Sequence, residues 1–201
     1  MEIKCVNFVG MGANCYLVET DDVAIVIDPF DINEKIDLFL KTDKPKYVFL
    51  THCHFDHILG ANRIRETYGA KIAIGKHDAV GLYDTYFSLS EMAGFSQEPF
   101  YADILFDGDD VFEVGNTRIK VLHTPGHTSG SVCYVLDDYI FTGDTLFQGT
   151  VGRTDFPTGD FTALKKSLET LKNLSGDYKL FSGHGLATTL SREKTTNPYM
   201  I

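Results

Sequence analysis

Strand-like alternation or short apolar runs occupy residues 3–8, 14–19 and 23–27, and the polar Thr20-Asp21-Asp22 joins the second and third as a hairpin. Residues 36–40 predict a short helix ahead of the strand 47–50. Apolar positions at helical spacing predict an amphipathic helix over 58–68, stopped by Gly69, and 71–74 is the next strand. Further hairpins are predicted for 111–114 with 118–122, turning at Gly115-Asn116, and for 132–136 with 139–141, turning at Asp137-Asp138. A second clear helix over 161–174 precedes a strand that ends at Phe181.

This mixture of hairpins and β-α-β units carries no low-complexity linker and no composition break, so residues 1–201 read as a single α/β domain. Each half places hairpins ahead of a helix-and-strand unit whose strand ends in metal-ligand residue types. Two similar sheet-and-helix halves meeting at one site are expected. Residues 81–101 are the least regular stretch, rich in Leu, Tyr, Phe and Met. One reading is a lid over the site; the favoured one is a helix packing its apolar stripe on the core.

Composition narrows the function classes. The apolar fraction of 43% and charged fraction of 23% are those of an ordinary globular chain. A formal net charge of -10 argues against a general nucleic-acid binder, which needs clustered Lys and Arg. No run approaches a membrane span, and the N-terminal residues lack the charged-then-apolar pattern of a signal peptide. The four cysteines show neither zinc-finger nor disulfide-framework spacing. A cytoplasmic location with free thiols is expected, and a secreted antibiotic-degrading enzyme is disfavoured.

The chemistry is concentrated in Thr51-His52-Cys53-His54-Phe55-Asp56-His57. On an extended segment residues two apart point the same way, so His52 and His54 can reach one metal ion while Cys53 points away from it. Asp56 and His57 fall where the chain turns into a helix, aimed at a neighbouring position. Unpartnered buried imidazoles are costly, and ligand-type groups this crowded point to metal. Downstream, His127 in Thr124-Pro125-Gly126-His127-Thr128, Asp144 in Phe141-Thr142-Gly143-Asp144-Thr145 and His184 in Phe181-Ser182-Gly183-His184-Gly185 each follow a β-rich run and a glycine. Five of the seven histidines are thereby used. His77 reads as structural, and His123, beside the His127 turn, as a candidate supporting contact.

His-x-His-x-Asp-His followed by separate His, Asp and His positions resembles the metallo-β-lactamase superfamily over nearly the whole chain. Residues 141–160 and the ending from Gly183-His184-Gly185 to Asn197-Pro198 resemble its glyoxalase II-like hydrolase branch. The resemblance implies a four-layer αββα sandwich with metals at one edge. It further implies that His52, His54 and His127 hold a first ion and that Asp56, His57 and His184 hold a second. Asp144 bridges the two, and Asp56 also serves catalysis. Two divalent ions are expected, zinc foremost, with iron or manganese also suited to imidazole and carboxylate ligands.

A metal pair lowers the pKa of bound water to about 7 and polarises a carbonyl without a Ser or Cys nucleophile. The implied activity is hydrolysis of a thioester, or a similar activated ester, by hydroxide at a dinuclear site. Counting ions and ligands leaves about one net positive charge there, which suits a small anionic substrate such as a thioester of a carboxylate-bearing thiol. The chain ends without the helical region that carries much of the glutathione recognition in full-length glyoxalase II. Thioester chemistry is therefore expected without commitment to glutathione. Arg153, on the glycine-flanked loop after Asp144, is the candidate substrate-binding residue; its alternative role is pinning that loop through Asp155 or Asp160.

Two other readings carry different consequences. The segments around His52 and Arg153 also resemble persulfide dioxygenases, which use one iron held by the equivalents of His52, His127 and Asp144. Ser182-Gly183-His184-Gly185 departs from that branch, which usually carries Ala-His-Asp-Tyr there. An inactive scaffold would need none of the seven ligand-type residues. Oligomeric state is not legible in the sequence.

Overall fold

The computed structural model describes residues 1–7, 12–31, 34–40 and 46–201. Strands β1 (Glu2–Asn7), β2 (Asn14–Glu19) and β3 (Ala24–Ile27) are followed by helix α1 (Glu34–Leu40), β4 (Lys46–Phe49), helices α2 (Phe55–Ile58) and α3 (Ala61–Tyr68), and β5 (Lys71–Gly75). Single-turn helices α4 (Thr85–Ser88) and α5 (Ser90–Ala93) lead to β6 (Ile104–Phe106). The hairpins β7 (Val111–Val114) with β8 (Thr117–His123) and β9 (Val132–Leu136) with β10 (Tyr139–Gly143) come next. A small ribbon, β11 (Leu146–Phe147) and β12 (Thr150–Val151), precedes α6 (Phe161–Lys172), β13 (Lys179–Ser182), β14 (Thr188–Thr189) and α7 (Leu190–Thr196).

The first sheet runs β1-β2-β3-β4-β5-β6, antiparallel at first and parallel from β3 onward. The second runs β14-β13-β10-β9-β8-β7, with β10 and β13 parallel. Strand period two sorts the side chains into layers. Tyr16 and Val18 of β2 join Ile25, Phe49, Tyr134, Phe141 and Phe181 in the core between the sheets. Leu17, from the opposite face of β2, packs with Val48, Ile72 and the helical Ile36, Ile58 and Ile64. On the far side Ile140 and Leu180 meet Leu164, Leu168 and Leu171 of α6. The order is helix, sheet, sheet, helix, as expected. Strands β3 and β4 are covered on both faces, which is why they read as continuous apolar runs.

Several expectations need correction. The helix predicted over 58–68 is two helices, α2 and α3, broken at Leu59-Gly60. Gly60 donates its N–H to Pro29 O at 2.9 Å, and a Cβ on it would lie only 2.9 Å from that oxygen. The chain leaving β3 therefore presses on the break. The helix predicted over 161–174 ends at Lys172, and Phe8, the last residue of the first predicted strand, lies outside the described residues. The single helix favoured for 81–101 does not form. Leu89 adopts φ 64, the left-handed region, and splits the segment into the single turns α4 and α5. Its ends, Leu82 and Phe100, are anchored in the core, while Tyr86 and Met92 stay exposed. Strands β6, β11, β12 and β14 and helix α7 were not predicted.

Candidate metal centre

Every ligand-type residue sits just past the end of a strand. His52, His54, Asp56 and His57 follow β4, His127 follows β8, Asp144 follows β10 and His184 follows β13. This is where an α/β sheet leaves a crevice at its strand ends. The two sheets are stitched together along the same edge: Val132 N donates to Thr51 O at 2.9 Å, Tyr134 Oη to Leu50 O at 2.6 Å and Asn14 N to Gly183 O at 2.7 Å. Asn14 Nδ2 also donates to Ser182 O and Gly185 O, both at 3.0 Å, and so holds the His184 turn.

Three imidazoles converge. His54 Nδ1 lies 3.1 Å from His52 Nε2 and 2.9 Å from His127 Nε2. Their other contacts fix the tautomers. His127 Nδ1–H donates to Arg153 O at 2.7 Å. The single Thr51 hydroxyl hydrogen goes to Asp28 Oδ2 at 2.6 Å, so the Thr51 oxygen accepts from His52 Nδ1–H at 3.1 Å. Both Nε2 lone pairs therefore face inward, at about the mutual spacing of nitrogens around a tetrahedral zinc, whose Zn–N bonds are about 2.0 Å.

Asp56, His57 and His184 form a second group. His184 Nε2 is 3.1 Å from Asp56 Oδ2, and His57 Nε2 is 3.7 Å from it. Asp144 stands between the groups, with Oδ1 3.5 Å from His57 Nε2 and Oδ2 3.4 Å from His127 Nε2 and 3.6 Å from His184 Nε2. His57 Nε2 and Asp144 Oδ1 are fully buried and have no hydrogen-bond partner, a costly arrangement that a cation bound by both atoms would relieve. Three donor sets have ligand atoms within 4.8 Å of one another: His52, His54 and His127; His52, His57 and Asp144; and Asp56, His57 and His184. These donors fit two divalent cations. Crowding leaves no room for a side chain at Gly183, where a Cβ would lie 2.1 Å from Asp144 Oδ1 and 2.7 Å from His57 Cε1.

Two carboxylates that the sequence reading missed support the ligands. Asp28, at φ 52 after β3, accepts from Thr51 N at 2.7 Å, from the Thr51 hydroxyl, and from His57 Nδ1 at 2.9 Å. It thus turns His57 Nε2 toward the centre, as outer carboxylates do for metal-binding histidines. Asp78, buried after β5, accepts from Cys53 N at 3.0 Å, Thr128 Oγ1 at 2.7 Å and Gly130 N at 2.7 Å. It ties the His52–His54 turn to the His127 turn. Both carboxylates bond groups 23 to 52 residues away in the chain, so no local pattern announces them.

The remaining candidates fall into place. Cys53 points away as expected: it is buried against Gly81, and burial pushes its thiol well above the ordinary value. His123 accepts or donates nothing to His127; its Nε2 donates to Ser129 O at 3.1 Å, within the same turn. His77 stacks on His123, with ring centroids 6.1 Å apart. Arg153 lines the pocket over the metal centre, and its guanidinium makes a bidentate pair with Asp155 at 2.6 Å and lies 3.9 Å over the Phe156 ring. Asp160 instead caps α6, accepting from Thr162 N and Ala163 N.

The two groups differ electrostatically. Burial, reinforced by neighbouring imidazoles, holds His52 and His54 well below the ordinary histidine value, so both are neutral at pH 7. Burial opposes charge on His57 too, but Asp56, Asp144 and Asp28 outweigh it and raise His57 to about 10. Burial likewise opposes ionisation of Asp56, yet His57 and His184 pull it down to about 2. A cation at the second group must therefore displace a proton from His57, and one at the first group displaces none from His52 or His54. In titrations of chelated protein between pH 6 and 9, affinity for the second equivalent should rise with pH far more steeply than affinity for the first. Calorimetry in two buffers of different ionisation enthalpy should read more protons released with the second equivalent than with the first. A second equivalent indifferent to pH would mean that His57 is neutral before metal binds.

A fold of this kind with paired His and Asp groups at one sheet edge defines a class: the chain belongs to the metallo-beta-lactamase superfamily, whose family model matches residues 9–184. It is 32% identical to the hydroxyacylglutathione hydrolase GloC of Haemophilus influenzae, covering 100% of this chain and 98% of the relative. It is 34% identical to the probable metallo-hydrolase YqgX of Bacillus subtilis, over 94% of this chain and 92% of that one. Among solved structures, the BLEG-1 B3 metallo-beta-lactamase superposes with a TM-score of 0.91 at 30% identity, covering 99% of each chain. TTHA1623 in a di-iron-bound form superposes with a TM-score of 0.85 at 32% identity, covering 98% of this chain and 99% of that one. Among the described residues no helix is long and apolar enough to cross a membrane.

Proposed function

We propose that this protein is a dinuclear metallo-hydrolase that cleaves thioesters or similarly activated esters of small, anionic molecules in the cytoplasm. The observation that carries the two-ion reading is the shared carboxylate: Asp144 lies within 3.6 Å of ring nitrogens from both groups while its Oδ1 has no other partner. His52, His54 and His127 would hold one ion and Asp56, His57 and His184 the other, with zinc the first choice and iron or manganese compatible. The di-iron form of TTHA1623 supports two ions on this scaffold, and the similarity to GloC supports hydroxyacyl thioester chemistry.

When bound, such ions supply a Lewis acid for the carbonyl oxygen and water acidified to a pKa of about 7. The chain supplies the rest. A pocket of about 480 Å³ opens over the ligands, and Phe55, Leu89, Met92, Phe147 and Phe156 form its apolar walls. Asp56, held ionised, is the carboxylate we assign to catalysis, accepting a hydrogen bond from the attacking water and fixing its direction. Arg153 borders the same volume as the substrate-binding candidate; reaching a substrate carboxylate requires its pair with Asp155 to open. Cys133 and Cys15 are buried thiols and Cys5 is exposed and free, which supports a reducing compartment.

The test is release of free thiol from acyl thioesters by protein loaded with zinc, manganese or iron. Parallel assays measure oxygen uptake with glutathione persulfide and turnover of a chromogenic cephalosporin. Metal-dependent thiol release exceeding the other two rates is expected. Oxygen uptake by protein carrying one iron would replace this reading with the dioxygenase, and preferential cephalosporin turnover would replace it with a lactamase.

A further inference from the structure

Beside the metal pocket lies a second cleft of about 520 Å³, and Leu89, Met92 and Phe156 line both. Tyr86 continues the apolar wall outward. Tyr86 and Met92 remain 65% and 67% exposed, a large apolar surface gathered at the mouth of a polar centre. Leu89 is held at φ 64, a conformation that a branched side chain adopts only when its surroundings enforce it. The charged groups on this cleft are Glu91 and Asp155, and none of its described lining residues is basic. The nearby Arg153 is already neutralised by Asp155.

From this continuity and charge pattern, and resting on the hydrolase reading above, we infer that the second cleft is a subsite for an uncharged apolar arm of the substrate, an acyl or alkyl chain. Negative charge on the substrate belongs at the cationic end, next to the carbonyl. A distal carboxylate, as on a glutathione moiety lying in this cleft, would face Glu91 instead, since Asp155 and Arg153 compensate each other. The substrate class is therefore an amphiphile: an activated carbonyl at the metals and a hydrocarbon tail between the α4–α5 turns and the Phe156 loop.

The experiment measures kcat/KM of the metal-loaded protein for N-acetylcysteamine thioesters from acetyl to octanoyl, and for acetyl thioesters of alkyl thiols of matching length. An arm entering the cleft should raise kcat/KM about twofold to fourfold per added CH₂, the value of burying a methylene. The series that responds identifies which side of the carbonyl carries the arm. Tyr86→Glu, a surface change remote from the ligands, should lower the octanoyl-to-acetyl or octyl-to-ethyl ratio at least tenfold. Rates indifferent to length in both series, with acetyl thioester still hydrolysed, would overturn the subsite and leave the hydrolase standing. If no thioester is cleaved, the hydrolase reading fails and the cleft is tested by calorimetry with N-octylacetamide. Binding weakened tenfold by Tyr86→Glu would support the subsite, and no binding at millimolar concentration would overturn it.

Discussion

Asp144→Ala is expected to reduce metal content from two ions to fewer than one per chain and to lower kcat/KM by about a thousandfold or more. No single histidine substitution should remove as much metal. His54→Ala takes one donor from the first group, and His184→Ala takes one from the second. Asp144 faces both groups, and its charge would screen two bound cations from each other. Because Asp144 Oδ1 makes no hydrogen bond within the protein, the loss should appear mainly as a smaller melting-temperature gap between loaded and chelated samples. The chelated variant should fall below chelated wild type by a smaller margin, set by the lost charge contact of Asp144 with His57. Elemental analysis with paired thermal scans reads both quantities, and a variant that retains two ions would remove Asp144 from the bridging position.

Asp78→Ala should have the opposite signature, a large loss of stability whether or not metal is present. The substitution strands the N–H groups of Cys53 and Gly130 in a buried site and leaves the Thr128 hydroxyl only its contact with Ser131 Oγ at 2.6 Å. At about 1–3 kcal/mol for each of the two N–H groups left without a partner, the total is on the order of 2–6 kcal/mol. For a chain of this size that lowers Tm by roughly 4–24 °C. Asp78→Asn, which keeps the shape and one acceptor oxygen, should recover part of the loss. Metal affinity should fall as well, since the His52–His54 and His127 turns lose their common anchor. A Tm within 3 °C of wild type, by calorimetry, would show that Asp78 holds nothing together.

The ligand residues were legible because their chemistry is local. His52, His54, Asp56 and His57 are four ligand-type residues within six positions, and strand period two places the first pair together. The hairpins of β2–β3, β7–β8 and β9–β10 were legible for a similar reason: polar or glycine-containing turns separate apolar strands. What the sequence concealed depends on distant partners or on very short elements. Strand β6 has three residues and is defined by its parallel pairing with β5, so too few positions exist for a pattern. Helix α7 is mostly polar, and its buried Glu193 accepts from Gly149 N and the Thr188 hydroxyl, contacts visible only once the β11–β12 ribbon is folded beside it. The region 81–101 carries a helix-like composition, yet its shape follows from where its ends are anchored and from the left-handed Leu89. The division of seven ligands between two ions came from family resemblance, and the geometry arranges the same residues in compatible groups without itself assigning ions.

One feature of the centre bears on folding. Neither ligand group can be completed from one sheet: His52 and His54 come from the first and His127 from the second, and Asp56 and His57 likewise meet His184. Each cation would thus be a cross-link between halves of the chain separated by some 70 to 130 positions, closing loops that no disulfide closes here. The visible spectrum of a cobalt-substituted sample would therefore report the docking of one sheet on the other, an event that circular dichroism of the separate sheets does not register.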